Sequence, residues 1–202
     1  MSELERPLDP MVVPSAPRVS AWNVANALTA VRFVLVPLFG WLLLSGDGRA
    51  AWRWAAAGAF AVAVATDRFD GEVARRRNLV TDLGKIADPI ADKALIGTAL
   101  ASLSALGELP WSVTVVVLVR EAAVTALRFV VIRRIVLPAG RGGKAKTALQ
   151  ALAIVLYLVP LPGRWHVVAV AVMVAAVVLT IVTGVDYVVS IVRLMRRADP
   201  TR

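Results

Sequence analysis

From Val167 to Leu179 the chain offers thirteen consecutive apolar side chains, with no polar stripe for a helix to turn toward water. A helix on the surface of a soluble protein carries such a stripe, and a helix that is apolar all round is buried in protein or in lipid. The valines would suit a strand by propensity alone. In hydrocarbon, however, every backbone N–H and C=O must find a partner within the segment, and that requirement selects helix.

The run is not isolated. Six apolar blocks can be traced: Ala25 to Leu44, Ala50 to Ala65, Ile86 to Leu106, Trp111 to Val136, Ala148 to Leu161 (extended backwards by Ala145), and Trp165 to Val192. Each approaches the roughly 20 residues that a helix needs to cross a bilayer. With 58% hydrophobic and 18% charged residues among 202, too little polar surface exists to cover a soluble particle of this size. The expected fold is all-α: a polytopic membrane protein of six transmembrane helices in one domain, residues 20–202, preceded by a flexible leader, residues 1–19. That leader is polar, contains four prolines and lacks the apolar core of a secretory signal.

Basic residues orient the bundle. The turns Ser45–Arg49, Gly107–Pro110 and Pro162–Arg164 hold few. The other ends hold Arg75, Arg76, Arg77 and Lys85, then Arg133, Arg134, Arg141, Lys144 and Lys146, then Arg193, Arg196, Arg197 and Arg202. Positive charge marks the cytoplasmic side, so both termini and the second set of connections are expected there, in a multi-pass protein of the cell (plasma or inner) membrane. Trp41, Trp52, Trp54, Trp111 and Trp165 gather toward the opposite ends as interfacial anchors. The net charge of +9 follows this topology, which favours anionic lipid and phosphorylated substrates as partners over nucleic acid. The absence of cysteine from the sequence excludes disulfide, thiolate and iron–sulfur chemistry.

Charges then occur where they are expensive. The second block runs into Asp67, Arg68, Asp70, Gly71, Glu72 and Arg75. If the helix continues, Asp67, Asp70, Gly71 and Ala74 share a face, with Arg75 at its edge. Gly84, Asp88 and Asp92 form a second stripe at spacing four on the third helix, with Asp82 placed as an N-cap and Pro89 in the first turn. Four carboxylates from neighbouring helices repel unless cations lie between them. The ligands on offer are hard oxygens, and His166 is the only histidine, at the opposite face. Two Mg²⁺ or Mn²⁺ ions fit; zinc and copper fit poorly. A purely structural Asp–Arg network is the competing reading, as is a cation-coupled small transporter, although transport sites tend to lie at mid-membrane.

The fourth block places Arg120, Glu121 and Arg128 among apolar residues, with Glu121, Thr125 and Arg128 on one face. Arg120 and Arg128 suit an anionic substrate, and Glu121 suits neutralisation of an arginine. Lys144 and Lys146 open the fifth block and suit either anchoring or substrate binding. In the first block Asn23, Asn26, Thr29 and Arg32 line its mouth, with Arg32 two turns inside an apolar helix. Thr180, Thr183 and Gly184 read as helix-packing residues, and His166 as interfacial.

The segment DRFDGEVARRRNLVTDLGKIADPIADKA, Asp67 to Ala94, resembles the signature of the CDP-alcohol phosphatidyltransferase family, D-x2-D-G-x2-A-R-x8-G-x3-D-x3-D. Asp67, Asp70, Gly71, Ala74, Arg75, Gly84, Asp88 and Asp92 fill its eight fixed places in register. The segment NVANALTAVRFVLVP, Asn23 to Pro37, is similar to the opening of the bacterial phosphatidylglycerophosphate synthases of that family, as are Asp82 to Leu95, Arg120 to Arg128 and Gly142 to Gln150.

The resemblance implies that Asp67, Asp70, Asp88 and Asp92 bind two divalent ions and that Asp92 is also the catalytic base. It implies that the CDP moiety of the donor lies against Asp67, Asp70, Gly71, Ala74, Arg75 and Gly84. It further implies CDP-diacylglycerol as donor, glycerol 3-phosphate as acceptor, phosphatidylglycerophosphate and CMP as products, and a homodimer. Arg120, Arg128, Arg141, Lys144 and Lys146 are the candidates to grip the acceptor phosphate. The metal motif serves the shared donor, so an acceptor such as inositol phosphate is the alternative within the family.

Overall fold

The computed structural model describes residues 24–77, 82–131 and 141–198, and these form six helices with no strand among them: α1 (Val24–Ser45), α2 (Ala50–Arg77), α3 (Asp82–Ala105), α4 (Trp111–Val131), α5 (Arg141–Leu158) and α6 (Arg164–Ala198). Each expected apolar block coincides with one helix. The leader, Met1–Val19, and Asn23 lie outside the described residues, as does the end of the fourth block beyond Val131. By length and composition, α1 over Ala27–Ser45 and α6 over Arg164–Leu194 suffice to cross a membrane, with mean hydropathies of 2.0 and 2.7; α5 adds a shorter apolar stretch, Ala145–Leu158.

One expectation fails. Pro89 lies inside α3, not in its first turn, because the helix already begins at Asp82. A proline there withholds one backbone donor from the carbonyl four residues back.

α3 is the hub of the bundle, touching α1, α2, α4 and α5, while α1 pairs with α2 and α5 with α6. A glycine of α1 allows close approach to it. A Cβ added at Gly40 of α1 would sit 3.0 Å from the Thr98 methyl of α3. Leu95, Leu100 and Leu103 of α3 are buried with Phe39, Phe60, Val117, Ile154 and Leu158. The Phe39 and Phe60 rings meet at 5.5 Å, tilted by 53°. Hydrogen bonds also join helices inside the bundle: Ser104 and Thr114 share one of 2.7 Å between α3 and α4, and Gln150 donates to Thr180 across α5 and α6 at 3.1 Å. The outer face is a different surface. Val167, Val182 and Val185 of α6 are more than half exposed, as side chains that face hydrocarbon would be.

α3 ends in a glycine turn. Gly107 has φ 73°, and the Glu108 N–H donates to the Leu103 carbonyl at 3.0 Å, which is the Schellman way of closing a helix. This turn aims Glu108 at Arg53 of α2. Arg53 pairs with Oε1 of Glu108 and donates to Oε2 at 2.8 Å. It also donates to the carbonyls of Tyr157, at 2.6 Å, and Leu158, at 3.2 Å. One guanidinium thus fastens α2, the α3–α4 turn and the last turn of α5 at the tryptophan-bearing end.

Candidate active site

The C-terminal half of α2 and the N-terminal half of α3 bring their aspartates to the end of the bundle opposite that clamp. α2 does continue through Asp67, Asp70, Gly71, Ala74 and Arg75 as a helix, and α3 carries Gly84, Asp88 and Asp92. The side-chain surroundings of Asp70, Arg75, Arg128, Arg141 and Lys144, and those of Gly71, Ala74 and Gly84, lie outside the described set.

Two residues of α1, one turn apart, face these carboxylates. Arg32 is fully buried and its Nη1 lies 2.9 Å from Oδ1 of Asp67, whose side chain keeps 42% of its surface exposed. Thr29, also buried, donates to Oδ1 of Asp88 at 2.5 Å. Asp92 is half-buried, and the charges acting on it are those of Asp67, Arg32, Lys93 and Glu121. Asp67 of α2 and Asp92 of α3 therefore share one electrostatic environment. Among the described residues no three acidic or histidine side chains converge on a single point; the full set of four needs Asp70, outside the described side chains. The donors present are carboxylate oxygens, partly exposed, on two helices held by a third. Such a set suits a hard divalent cation. His166 is far off, at the tryptophan end, edge-on to Tyr157 at 5.6 Å.

Thr29 and Arg32 are the residues whose role the sequence leaves unread. Their signal is a threonine and an arginine at spacing three inside an apolar helix, which marks a face turned into the bundle.

A cationic cluster adjoins the aspartates. Glu121 of α4 accepts Arg120 Nη1 on Oε1 at 2.9 Å, and Lys146 of α5 pairs with the same oxygen. Lys146 is buried. Arg120 also donates through Nη2 to the Thr183 hydroxyl of α6 at 2.8 Å, and that hydroxyl donates in turn to the Leu179 carbonyl. A Cβ at Gly184 would meet Arg120 Nε at 3.0 Å and Cγ at 3.2 Å. Thr183 and Gly184 are thus the seat of Arg120, beyond the packing role expected of them. Lys93, beside Asp92, donates to Thr125, whose hydroxyl donates to the Glu121 carbonyl at 2.7 Å. The structure brings Arg120 and Lys146 together on a single carboxylate.

Open cavities of about 530 and 250 Å³ lie elsewhere, at the tryptophan end, lined in part by Glu108, Tyr157 and His166. Their carboxylate, Glu108, is already engaged by Arg53.

Residues 22–182, which enclose both clusters, match the family described as CDP-alcohol phosphatidyltransferase. The chain belongs to the CDP-alcohol phosphatidyltransferase family. It is 54% identical over 179 residues, 88% of this chain and 86% of the relative, to a probable phosphatidylglycerophosphate synthase of Mycobacterium tuberculosis. A CDP-diacylglycerol–glycerol-3-phosphate 3-phosphatidyltransferase of Rickettsia typhi is 34% identical over 170 residues, 82% of this chain and 94% of its own. One of Bacillus subtilis with the same name is 36% identical over 144 residues, covering 66% and 75% respectively. The matched residues include the carboxylates of α2 and α3.

Proposed function

We propose that this protein transfers the phosphatidyl group of CDP-diacylglycerol to glycerol 3-phosphate, giving phosphatidylglycerophosphate and CMP, as a step of phospholipid synthesis. The observation that carries the reading is the juxtaposition of two unlike clusters at one end of the bundle: carboxylates of α2 and α3, and cations of α4 and α5 gathered on Glu121. The names of the relatives over most of the chain support the same reaction.

The donor and acceptor impose different needs. Asp67, Asp70, Asp88 and Asp92 would hold two Mg²⁺ or Mn²⁺ ions, which when bound neutralise the donor's diphosphate and make the acceptor hydroxyl more acidic. Gly71, Ala74 and Gly84 leave the backbone open to the cytidine moiety, and Arg75 supplies a cation beside it. The C1 oxygen of glycerol 3-phosphate forms a bond to the phosphatidyl phosphorus, while the bond from that phosphorus to the CMP oxygen breaks. The hydroxyl proton passes to the Asp92 carboxylate, and CMP leaves with the bonding electron pair. Arg120 and Lys146, with Arg128, Arg141 and Lys144, hold the acceptor's own phosphate. Positioning and charge neutralisation then supply most of the rate.

The surrounding architecture belongs to the same proposal. Residues 20–202 form one domain of six spans, with both termini and the site on the cytoplasmic side of the cell membrane, and two copies form a homodimer. The exposed valines of α6 and the gathering of polar side chains at one end support a bundle whose sides face lipid and whose site opens to water.

Release of CMP from CDP-diacylglycerol by the purified protein tests the reaction, with glycerol 3-phosphate and inositol phosphate offered separately. Release with Mg²⁺ and glycerol 3-phosphate, lost on exhaustive chelation and restored by the metal, is the expected result. Release that depends on inositol phosphate instead reassigns the acceptor; full activity after chelation removes the metal role of the aspartates.

A further inference from the structure

Glu121 is the only acidic residue of α4, and it stands among cations. Arg120, from the same helix, and Lys146, from α5, both engage its Oε1. The Lys146 side chain is only 6% exposed, so water screens it poorly, and the side chain reaches this point from a different helix. Among the described residues the backbones of α4 and α5 do not come close together, and this carboxylate links the two helices through Lys146. The same face of α4 is tied to α3 as well: Lys93 reaches Thr125, and Thr125 the Glu121 carbonyl. Arg120 is seated on Thr183 of α6. Two like charges brought to one oxygen repel each other when the oxygen's charge is removed, and a low-dielectric surrounding magnifies that repulsion.

We infer that Glu121 is the resident counter-ion of the acceptor pocket: a positioning residue that draws Lys146 and Arg120 to one point and keeps them poised for a phosphomonoester. The inference rests on the reading of Lys146 and Arg120 as ligands of the acceptor phosphate. A carboxylate presents oxygens of the same hardness and similar reach to those of a phosphate, so cations gathered by one are arranged for the other. Without it, binding of the acceptor must itself bring the two cations together, and affinity for the acceptor falls more than affinity for the donor.

Steady-state CMP release by the purified protein tests this, with KM measured separately for glycerol 3-phosphate and CDP-diacylglycerol in the Glu121→Gln, Glu121→Asp and Lys146→Met variants and the Glu121→Gln/Lys146→Met double variant. Glu121→Gln is expected to raise KM for glycerol 3-phosphate about tenfold and to leave that for the donor within about twofold. Glu121→Asp, which keeps the charge, is expected to recover most of the loss. The double variant is expected to lose less than the two single variants together, because part of the effect of Glu121 passes through Lys146. Should Glu121→Gln fail to fold, Glu121→Asp carries the measurement, with a rise of about threefold confined to the acceptor. Unchanged acceptor KM in the Glu121 variants, or equal shifts for both substrates, overturns the inference while a raised acceptor KM in Lys146→Met leaves the reaction and its pocket standing. Unchanged acceptor KM in Lys146→Met removes the pocket assignment itself, and the role of Glu121 with it.

Discussion

Both ends of the bundle carry an arginine–carboxylate pair, and the two pairs are built to opposite plans. At the tryptophan end, Arg53 engages both oxygens of Glu108 and two main-chain carbonyls. Its partners are all groups of the protein, on two elements besides its own α2, and the result is a clamp. At the aspartate end, Arg32 meets one oxygen of Asp67, and nearly half of the Asp67 side chain remains exposed. Asp88 receives a hydroxyl from Thr29, and Asp92 stands between positive and negative neighbours. A carboxylate with that much exposed surface keeps lone pairs within reach of a ligand. The contrast teaches that a charged pair inside an apolar bundle does not by itself mark a site; acceptor capacity left open does.

If that distinction holds, damage to the two ends should separate into loss of chemistry and loss of stability. The largest effect belongs to Asp92→Asn, which should lower turnover about a thousandfold or more by removing the base, with CDP-diacylglycerol binding largely retained. Normal turnover in that variant would end the base assignment. Arg53→Met should instead cost about 2–3 kcal/mol of stability, by stranding Glu108 and two carbonyls. A lowered thermal midpoint in detergent, with unchanged KM values below it, is the signature. A selective loss of activity there would make the clamp part of the site. Thr29→Val keeps the shape but withdraws the hydroxyl from Asp88, and a drop in kcat of about tenfold with little change in midpoint is expected. Wild-type kcat would show that Asp88 orients without Thr29. The smallest effect is that of Gly184→Ala, whose methyl presses on Arg120; KM for glycerol 3-phosphate should rise about threefold. An equal rise for the donor would place Arg120 outside the acceptor pocket.

Much of this molecule is local, and what is local is legible in its residues. The absence of any polar stripe in Val167–Leu179 demands helix in an apolar medium, and all six apolar blocks became helices. Spacings of three and four place Asp67 with Asp70, and Asp88 with Asp92, on common faces, since the helical repeat alone decides which side chains of one helix look the same way. Pro89 differs from the expectation because α3 begins at Asp82, the residue that suits its cap, and a helix begun there carries Pro89 past its first turn. Contacts between helices are another matter. Thr29 meets Asp88 across 59 positions, and Arg120 meets Thr183 across 63. Those meetings require each helix to hold a particular rotation and axial offset against its neighbours, and packing of side chains such as Phe39, Phe60 and Leu95 sets both. So the chain's own order of residues dictated helices, the faces of α2 and α3 that bear carboxylates, and membership of a reaction family. Assembly alone settled that α1 supports the aspartates, that one glutamate gathers two cations, and that α6 provides the seat for Arg120, because a repeat within one helix carries no information about the angle at which another helix meets it.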